Sequence, residues 1–275
     1  APWICWTFAV SVVACVLFFH SQLTNKQSLI DLSVFKDRNF SAGTIIQVVI
    51  QAVLYASLAI LPQFLQSMMG YTAFLSGETM MPRGFGSMLA MLITGTLSNK
   101  IDNRFLVMFG LFLIGGASLV FGSLNLQISN MNIAIPNFFM GMGMGLAMVP
   151  IMNLSVDTLK NEQMTNATGI QNLLKNIGSA IGTSLVATML TRFAQMHQFM
   201  LVGKTSELNP AFIERVQATA GALSAYTEST VAHYMAQYSY YGQLIKQSTL
   251  WAFIDSFRIF GVLCLAVIPL LLIMK

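Results

Sequence analysis

Seven long apolar stretches dominate the pattern of hydrophobic and polar positions along the chain. A helix needs roughly 20 mainly apolar residues to cross a hydrocarbon core about 30 Å thick. The stretches that meet this requirement cover residues 3–19, 42–66, 74–98, 105–124, 133–155, 168–191 and 250–274. Arg83 lies well inside the third stretch and Lys175 well inside the sixth, and the last contains Arg258 near its outer end. The pattern predicts an all-α integral membrane protein with about seven transmembrane helices.

The composition excludes the common classes of soluble protein. Hydrophobic residues make up 55% of the chain and charged residues only 9%, whereas soluble domains carry roughly 25% charged residues. Cys5, Cys15 and Cys264 lie in apolar runs without metal-ligand spacing, so we expect small core residues and no metal site. The sequence contains no phosphate-binding G-x-x-x-x-G-K-[ST] loop and no catalytic constellation. We therefore expect a protein that is not an enzyme, holds no cofactor and binds no nucleic acid.

The short predicted loops differ in charge between the two sides of the membrane. Those on one side, with the C-terminus, carry Lys26, Lys36, Arg38, Lys100, Arg104, Lys160 and Lys275. The short segments on the other side, residues 1–2, 67–73 and 125–132, carry no Lys or Arg. Because Lys and Arg in short loops favour the cytoplasm, we expect the N-terminus and the long loop 192–249 outside and the C-terminus inside. The first residues show no signal-peptide features, so we expect the chain to continue from upstream sequence.

The third and sixth predicted spans share one motif. Residues Gly77–Ser87 and Gly169–Ser179 are both described by a glycine, five residues, a cation, two residues and Gly-Ser. The two spans cross the membrane in opposite directions. Inverted repeats of helices around a midplane site are the construction of secondary transporters. Spans two to four and five to seven therefore form the predicted repeat, in which Arg83 and Lys175 correspond.

Arg83 and Lys175 are the first candidates for a functional site. A cation inside a span costs about 2.5–3.5 kcal/mol or more, so it needs a partner or a wet cavity. One interpretation is that both line a substrate cavity. The alternative is that Arg83 makes a structural contact between helices and that Lys175 snorkels to the interface. Glu78, five residues before Arg83 and on a different face of the helix, is either a proton-coupling carboxylate or a solvated side chain.

Polar side chains at helical spacing extend the predicted cavity. On the sixth span they are Asn172, Lys175, Asn176, Ser179 and Thr183, with Gln171 adjacent. On the second span they are Thr44, Gln47, Gln51 and Tyr55. The fifth span carries methionines at intervals of four, of which Met144 is the candidate for contact with apolar substrates. Polar contacts between helices and packing of the methionines in the core are the structural alternatives.

The long predicted outer loop carries a helix-start signal at Asn209-Pro210 and an aromatic run from Tyr234 to Tyr241. It favours either a cap that docks a partner or a helical lid on the membrane surface, where Tyr is frequent. We expect Asp255 and Arg258 to pair locally. The histidines without metal-ligand spacing lie in or beside predicted loops: His20, His197 and His233.

Several segments resemble one family of membrane transporters. The segment Leu29–Phe40 is similar to the linker before the last six helices of fourteen-span drug:proton antiporters, the EmrB/QacA branch of the major facilitator superfamily. Further similar segments are Leu61–Gln66, Gly70–Ala73, Met81–Gly84 and Gly95–Arg104. The last of these resembles the cytoplasmic loop motif of the superfamily and departs from it at Asn99, Asp102 and Asn103. Lys175 stands where the family usually has a basic residue, and a long outer loop before the last span is also typical.

The resemblance implies the C-terminal half of a proton-coupled multidrug efflux transporter of the inner membrane, working by alternating access. Residues 1–19 are then an extra transmembrane helix, 20–41 a cytoplasmic linker and 42–275 a six-helix bundle. The implied gating loop contains Gly95, Lys100, Asp102 and Arg104. The implied partners are membrane lipid, protons, a small lipophilic or cationic substrate and the missing N-terminal half. Gram-negative relatives add a periplasmic adaptor and an outer-membrane channel.

Two other interpretations stay open. The same pattern fits an exporter of another small molecule, such as a siderophore, a lipid or an amino acid. It also fits a non-transporting seven-helix receptor or scaffold. A retinal protein is disfavoured, because its Schiff base needs a Lys at mid-membrane in the last span and that span's only Lys is Lys275, at its very end.

Overall fold

The computed structural model describes residues 32–98, 100–126, 128–203, 205 and 209–274, together with nine helical positions between Trp3 and Leu17. Every regular element in these residues is a helix. After a 3-10 helix at Leu32–Lys36 come α1 (Arg38–Ser67), α2 (Ala73–Leu97), α3 (Asn103–Phe121), α4 (Asn130–Val156), α5 (Asn161–Val202), α6 (Pro210–Leu223), α7 (Ser229–Ala266) and a 3-10 helix at Ile268–Ile273.

Five of the described helical segments are long and apolar enough to cross a membrane. They are α1, α3, α4, α5 and the segment Ser229–Ile273. α2 has sufficient length, 25 residues, but it is less apolar because it contains Glu78, Arg83 and several glycines. The predicted all-α membrane class is confirmed. Nine positions of the predicted first span are described and all are helical, whereas most of the predicted linker lies outside the described residues.

Two helices are longer by more than ten residues than the spans that the hydropathy pattern predicts. α5 has 42 residues and α7 has 38, so both continue into the predicted outer loop 192–249. α6 lies between them and begins where expected, since the Asn209 side chain accepts from the backbone N–H of Ala211 at 3.1 Å. The predicted loop 192–249 is therefore mainly helical. Its low hydropathy marks the end of the apolar spans but does not end the helices, which continue through polar sequence.

Side-chain caps define the helix ends at one end of the bundle. Asp37 accepts from the backbone N–H of Phe40 at 2.9 Å at the start of α1. The Thr158 hydroxyl donates to the same carboxylate at 2.9 Å, which ties the end of α4 to α1. At the opposite end, Gly70 has φ of 70°, a left-handed conformation that turns the chain from α1 into α2 at little cost.

The two predicted triplets, α1–α2–α3 and α4–α5–α7, interlock by exchanging their middle helices. α2 packs chiefly against α4 and has little contact with α1. α5 packs chiefly against α1 and has little contact with α4. The outer helices α3 and α7 pack against each other, and α6 lies on α7. The exchange of α2 and α5 is common to both triplets, but α3 packs more closely on α4 than α7 does on α1, and α5 also packs on α7.

The core lies where α1, α3, α4 and α7 meet. The rings of Phe64 and Phe253 lie 5.3 Å apart in an edge-to-face arrangement, and those of Phe121 and Phe257 lie 5.1 Å apart. Among the described residues, α2 contributes no buried apolar side chain to this core. It is attached to the bundle by close backbone packing, by polar contacts and by a small separate apolar cluster of Ala90, Leu106 and Leu146.

Candidate functional site

Arg83 is a buried cation held by neutral oxygens. It lies on α2 directly after Pro82, and only 6% of its surface is exposed. Its Nη1 donates to Ser57 Oγ at 3.0 Å and its Nη2 to the Leu54 carbonyl oxygen at 3.4 Å, both on α1. Among the described residues, no carboxylate oxygen lies within 4.0 Å of its guanidinium. The positive charge is therefore uncompensated within this part of the chain.

Ser57 and Asn137 are buried polar residues that the sequence analysis missed. Ser57 Oγ lies 3.6 Å from Met140 Sδ, so it connects Arg83 to α4. Asn137 Nδ2 donates to the Thr79 carbonyl oxygen of α2 at 3.4 Å, while its Oδ1 has no partner among the described residues. A single polar residue inside an apolar run is the signal that could have found both, because membrane helices rarely bury such groups without a contact.

Glycines of the repeated motif set the depth of helix packing in both copies. A Cβ on Gly86 would lie 2.2 Å from a backbone oxygen of α4, and a Cβ on Gly178 would lie 2.9 Å from a backbone oxygen of α1. Gly77 and Gly169, the first residues of the two motifs, both face open space. Each close glycine follows its cation by three residues. The motif therefore places each cation three residues before a close contact between two helices.

Lys175 occupies the position that corresponds to Arg83 but has different surroundings. It is half-buried on α5 and makes no ion pair with the described carboxylates. Asn172 and Asn176 beside it are exposed. Gln171 is fully buried, and neither of its amide atoms has a described partner. The predicted polar stripe of α5 thus runs along an open face, with Gln171 turned into the protein.

The polar stripe of α1 passes from the interior to the surface. Gln47 is buried, and its Nε2 donates to Ser155 Oγ of α4 at 3.3 Å, while its Oε1 is unpaired among the described residues. Gln51 is half-buried with an unpaired Oε1, and Tyr55 is 45% exposed. Unpaired buried amide oxygens are costly, so this stripe has spare capacity to accept hydrogen bonds.

Three methionines of α4 (Met140, Met144 and Met148) pack in or against the core, whereas three of α2 (Met80, Met81 and Met88) line an open groove. Met144 is half-buried against the core cluster. The groove has a volume of about 490 Å³ and is lined by Gly77, Met80, Met81, Gly84, Phe85 and Met88. Flexible thioethers beside an aromatic ring suit varied apolar ligands. The sequence analysis named the methionines of α4 and overlooked those of α2.

Glu78 and Arg83 are not brought together. Glu78 is exposed on α2, and no described cation lies within 4.0 Å of its carboxylate. The guanidinium of Arg83 points instead toward α1. The two residues are five positions apart, so their side chains lie on different faces of the helix.

The predicted gating loop connects α2 to α3. Gly95 and Lys100 are exposed. Asp102 is the N-cap of α3, where its carboxylate accepts from the backbone N–H of Arg104 at 2.9 Å and lies 3.9 Å from Arg104 Nε. Asn99 lies outside the described residues. The carboxylate of this loop therefore has a local role in starting α3.

The expectation that His197 lies in or beside a loop is wrong. His197 is within α5, and its Nε2 lies 2.7 Å from Asp255 Oδ2 on α7. Asp255 and Arg258 do pair, at 3.7 Å. A partner 58 residues away in sequence gives no local signal. His20 lies outside the described residues.

No group of three or more potential metal ligands occurs among the described residues. Cys264 is buried and unpaired, as expected for a small core residue. Cys5 and Cys15 lie outside the described residues. The chemistry that the site can supply is electrostatic and polar: a buried cation, a half-buried cation and spare amide oxygens beside an apolar groove.

Comparison with known proteins gives a consistent result. The model of the Major Facilitator Superfamily matches residues 2–183. The chain is 28% identical over 244 residues to the uncharacterised MFS-type transporter YhcA of Bacillus subtilis, covering 89% of this chain and 46% of that protein. It is 30% identical over 206 residues to the probable multidrug resistance protein EmrY of Escherichia coli, covering 74% and 40%. It is 28% identical over 204 residues to the multidrug export protein EmrB of Escherichia coli, covering 73% and 40%. The chain spans less than half the length of each of these relatives.

Proposed function

This chain belongs to the Major Facilitator Superfamily, and we propose that it forms the C-terminal half of a proton-coupled multidrug efflux transporter. Its similarity to EmrY and EmrB supports this proposal. Membership of a transporter family favours transport over enzymatic catalysis. The chain's share of its relatives' length fits one half of such a protein.

The observation that carries the proposal is Arg83, buried at 6% exposure without a described carboxylate partner. A cation kept in this position is expensive in an apolar environment unless it serves a site. In our proposal Arg83 sets a positive field in the transport cavity, which holds proton-binding carboxylates of the whole transporter in their ionised form until a proton arrives. Lys175 adds a second charge, and the amides of Gln47, Gln51 and Asn172 hydrogen-bond the substrate.

The exchange of α2 and α5 between the triplets supports an inverted repeat and alternating access. We propose the inner membrane as the location, with the C-terminus in the cytoplasm and α6 outside. The bundle would comprise residues 42–275, preceded by one further span and a cytoplasmic linker. Proposed partners are protons, lipophilic or cationic substrates, the N-terminal half and, in a double-membrane organism, an adaptor with an outer-membrane channel.

The test is efflux of a lipophilic cation by the full-length protein in everted vesicles. We expect Arg83→Gln to lower the proton-driven rate about tenfold, and Lys175→Gln about threefold, where tenfold corresponds to about 1.4 kcal/mol. Arg192→Gln is the matched control, because Arg192 is an exposed cation on the same helix as Lys175 and its loss leaves the rate unchanged. Normal drug efflux and normal expression of the Arg83→Gln, Lys175→Gln double variant would favour a scaffold role.

A second candidate function is export of an anionic amphiphile. It is favoured by the unpaired charge of Arg83, since a guanidinium with spare N–H groups matches a carboxylate. The same vesicles distinguish the two functions. Export of a lipophilic carboxylate that Arg83→Gln abolishes, with cation efflux absent from the wild type, would replace the multidrug proposal.

A further inference from the structure

A second group of polar side chains lies far from Arg83, at the end of the bundle opposite the Gly95–Arg104 loop. The His197 cluster consists of His197 on α5 with Asp255 and Arg258 on α7. Its position follows from α3, which begins next to Asp102 and ends next to Gly122. Arg258 Nε donates to the Gly122 carbonyl oxygen at 3.0 Å.

The cluster ties three helices together through one carboxylate. Asp255 Oδ2 lies 2.7 Å from His197 Nε2, and Asp255 Oδ1 lies 3.7 Å from Arg258 Nη1. The His197 and Asp255 side chains are 18% and 27% exposed, so the cluster is mostly buried but accessible to water. The guanidinium also neutralises the negative end of α3. A Cβ on Gly122 would lie 2.6 Å from Arg258 Cγ, so this contact is closely fitted.

No other described charge faces the cluster. The helices that pack on α5 and α7 carry their charged side chains elsewhere: α1 has only Arg38 and α3 only Arg104, both at the opposite end, while α4 has none. The nearest charges on α5 and α7 themselves, Arg192 and Lys246, are exposed. On α6, Glu214 and Arg215 lie near Tyr240, whose hydroxyl donates to the Arg215 carbonyl oxygen, about 22 Å along α7 from Asp255. The protonation of His197 therefore decides the net charge of the cluster.

We propose that the His197 cluster is a proton-binding site of the transporter and contributes to coupling. The inference rests on the proposed proton-coupled function. Histidine takes up and releases a proton between pH 5 and 8. Because an ionised carboxylate only accepts hydrogen bonds, Nε2 keeps its hydrogen toward Asp255, and the exchanged proton enters from water at Nδ1 and leaves from it.

Proton binding redistributes the contacts of Arg258. With His197 protonated, Asp255 has a charged donor on α5, and Arg258 bonds the end of α3. With His197 neutral, Asp255 is balanced by Arg258 alone and draws its guanidinium away from the Gly122 carbonyl oxygen. The tie between α7 and α3 then weakens, and the hydrogen bond to α5 loses the positive charge of its donor while the carboxylate keeps its negative charge. Proton loading thus changes which outer helix ends are held together.

The binding of the proton is tested by the fluorescence of Trp251, whose ring centroid lies 6.0 Å from that of His197. Purified full-length protein is titrated from pH 8 to 5.5, and the Trp251→Phe variant supplies the background of the other tryptophans. We expect quenching of Trp251 as the imidazole becomes cationic, and no quenching in His197→Gln, which retains a donor for Asp255. Equal quenching in the wild type and in His197→Gln would overturn the proton-binding site.

The contribution to coupling is tested by efflux in vesicles as a function of pH at the cluster's side of the membrane. A histidine changes its charge between pH 5 and 8. We expect the wild-type rate to vary severalfold over this range and the His197→Gln rate to vary less than about twofold. His233→Gln is the matched control, because His233 is exposed on α7 and its one hydrogen bond to a described side chain is with Gln237, at 3.3 Å, and it retains the wild-type profile.

The two experiments separate the inference from the proposed function. A transporting His197→Gln variant with the wild-type pH profile would refute the role in coupling while leaving the efflux function intact. Quenching of Trp251 in a wild-type protein that shows no efflux would uphold the proton site and refute the proposed function.

Discussion

Arg83 and Lys175 occupy the same position in two copies of one motif, yet only Arg83 is buried and held by hydrogen bonds. Both precede by three residues a glycine that packs against the backbone of a helix from the other triplet. Arg83 is buried and hydrogen-bonded to two oxygens of α1, whereas Lys175 is half-buried and free of described ion pairs. The two copies of the motif therefore share their backbone packing, whereas the electrostatic role of the cation differs between them.

The difference matches the chemistry of the two cations. A planar guanidinium distributes its charge over several donors and satisfies a hydroxyl and a carbonyl together, whereas an ammonium on a flexible stem is a mobile point charge. A fixed charge can set a permanent field at Arg83. In the proposed transporter, a mobile one at Lys175 can respond to a substrate or to the other half.

The largest expected effect comes from filling the close glycine of each copy. Gly86→Ala places a Cβ 2.2 Å from a backbone oxygen and should destabilise the protein by about 3 kcal/mol, and Gly178→Ala, at 2.9 Å, by about 1 kcal/mol. Denaturant titration of the purified full-length protein measures both. Gly77→Ala and Gly169→Ala are the controls, since both sites are open, and neither should lose stability. Equal losses at Gly86 and Gly178 would remove the packing difference between the copies.

A smaller effect is expected from exchanging the two cations. Arg83→Lys cannot reach the Ser57 hydroxyl and the Leu54 carbonyl oxygen with a planar fork, so we expect a loss of about 2 kcal/mol in the free energy of unfolding. Lys175→Arg changes a half-buried side chain without described partners and should change it by less than about 0.5 kcal/mol. The same denaturant titration checks both. A tolerated Arg83→Lys would show that the fork geometry is unimportant.

The smallest effect is expected at the serine that holds Arg83. Ser57→Ala removes the oxygen 3.0 Å from Arg83 Nη1 and should cost about 1 kcal/mol. Ser179→Ala is the matched change beside Lys175, where the hydroxyl bonds only to the Asn176 carbonyl oxygen of its own helix, and it should cost little. Both are measured by thermal unfolding in detergent. Equal shifts in Tm would mean that Ser57 does not support the cation.

Much of the architecture and part of the site were predictable from local pattern. Hydropathy located six of the described helices within a few residues at most ends, and the Gly-Ser motif paired Arg83 with Lys175. The helical outer segment was underestimated, because α5 and α7 continue through polar sequence. The sequence analysis missed Ser57, Asn137 and the partner of His197. Each makes its contact with a residue on another helix, which the pattern within one segment does not show.

The sequence by itself determined membrane residence, the predicted helical spans and the two-copy motif, because apolar length and residue spacing are properties of a single segment. Only the tertiary structure decided that α2 and α5 exchange partners, that Arg83 is enclosed while Lys175 is not, and that His197 meets Asp255. The physical reason is that burial of a helix face and pairing of its polar groups depend on which distant helix lies against it, and spacing along one segment carries no record of that neighbour.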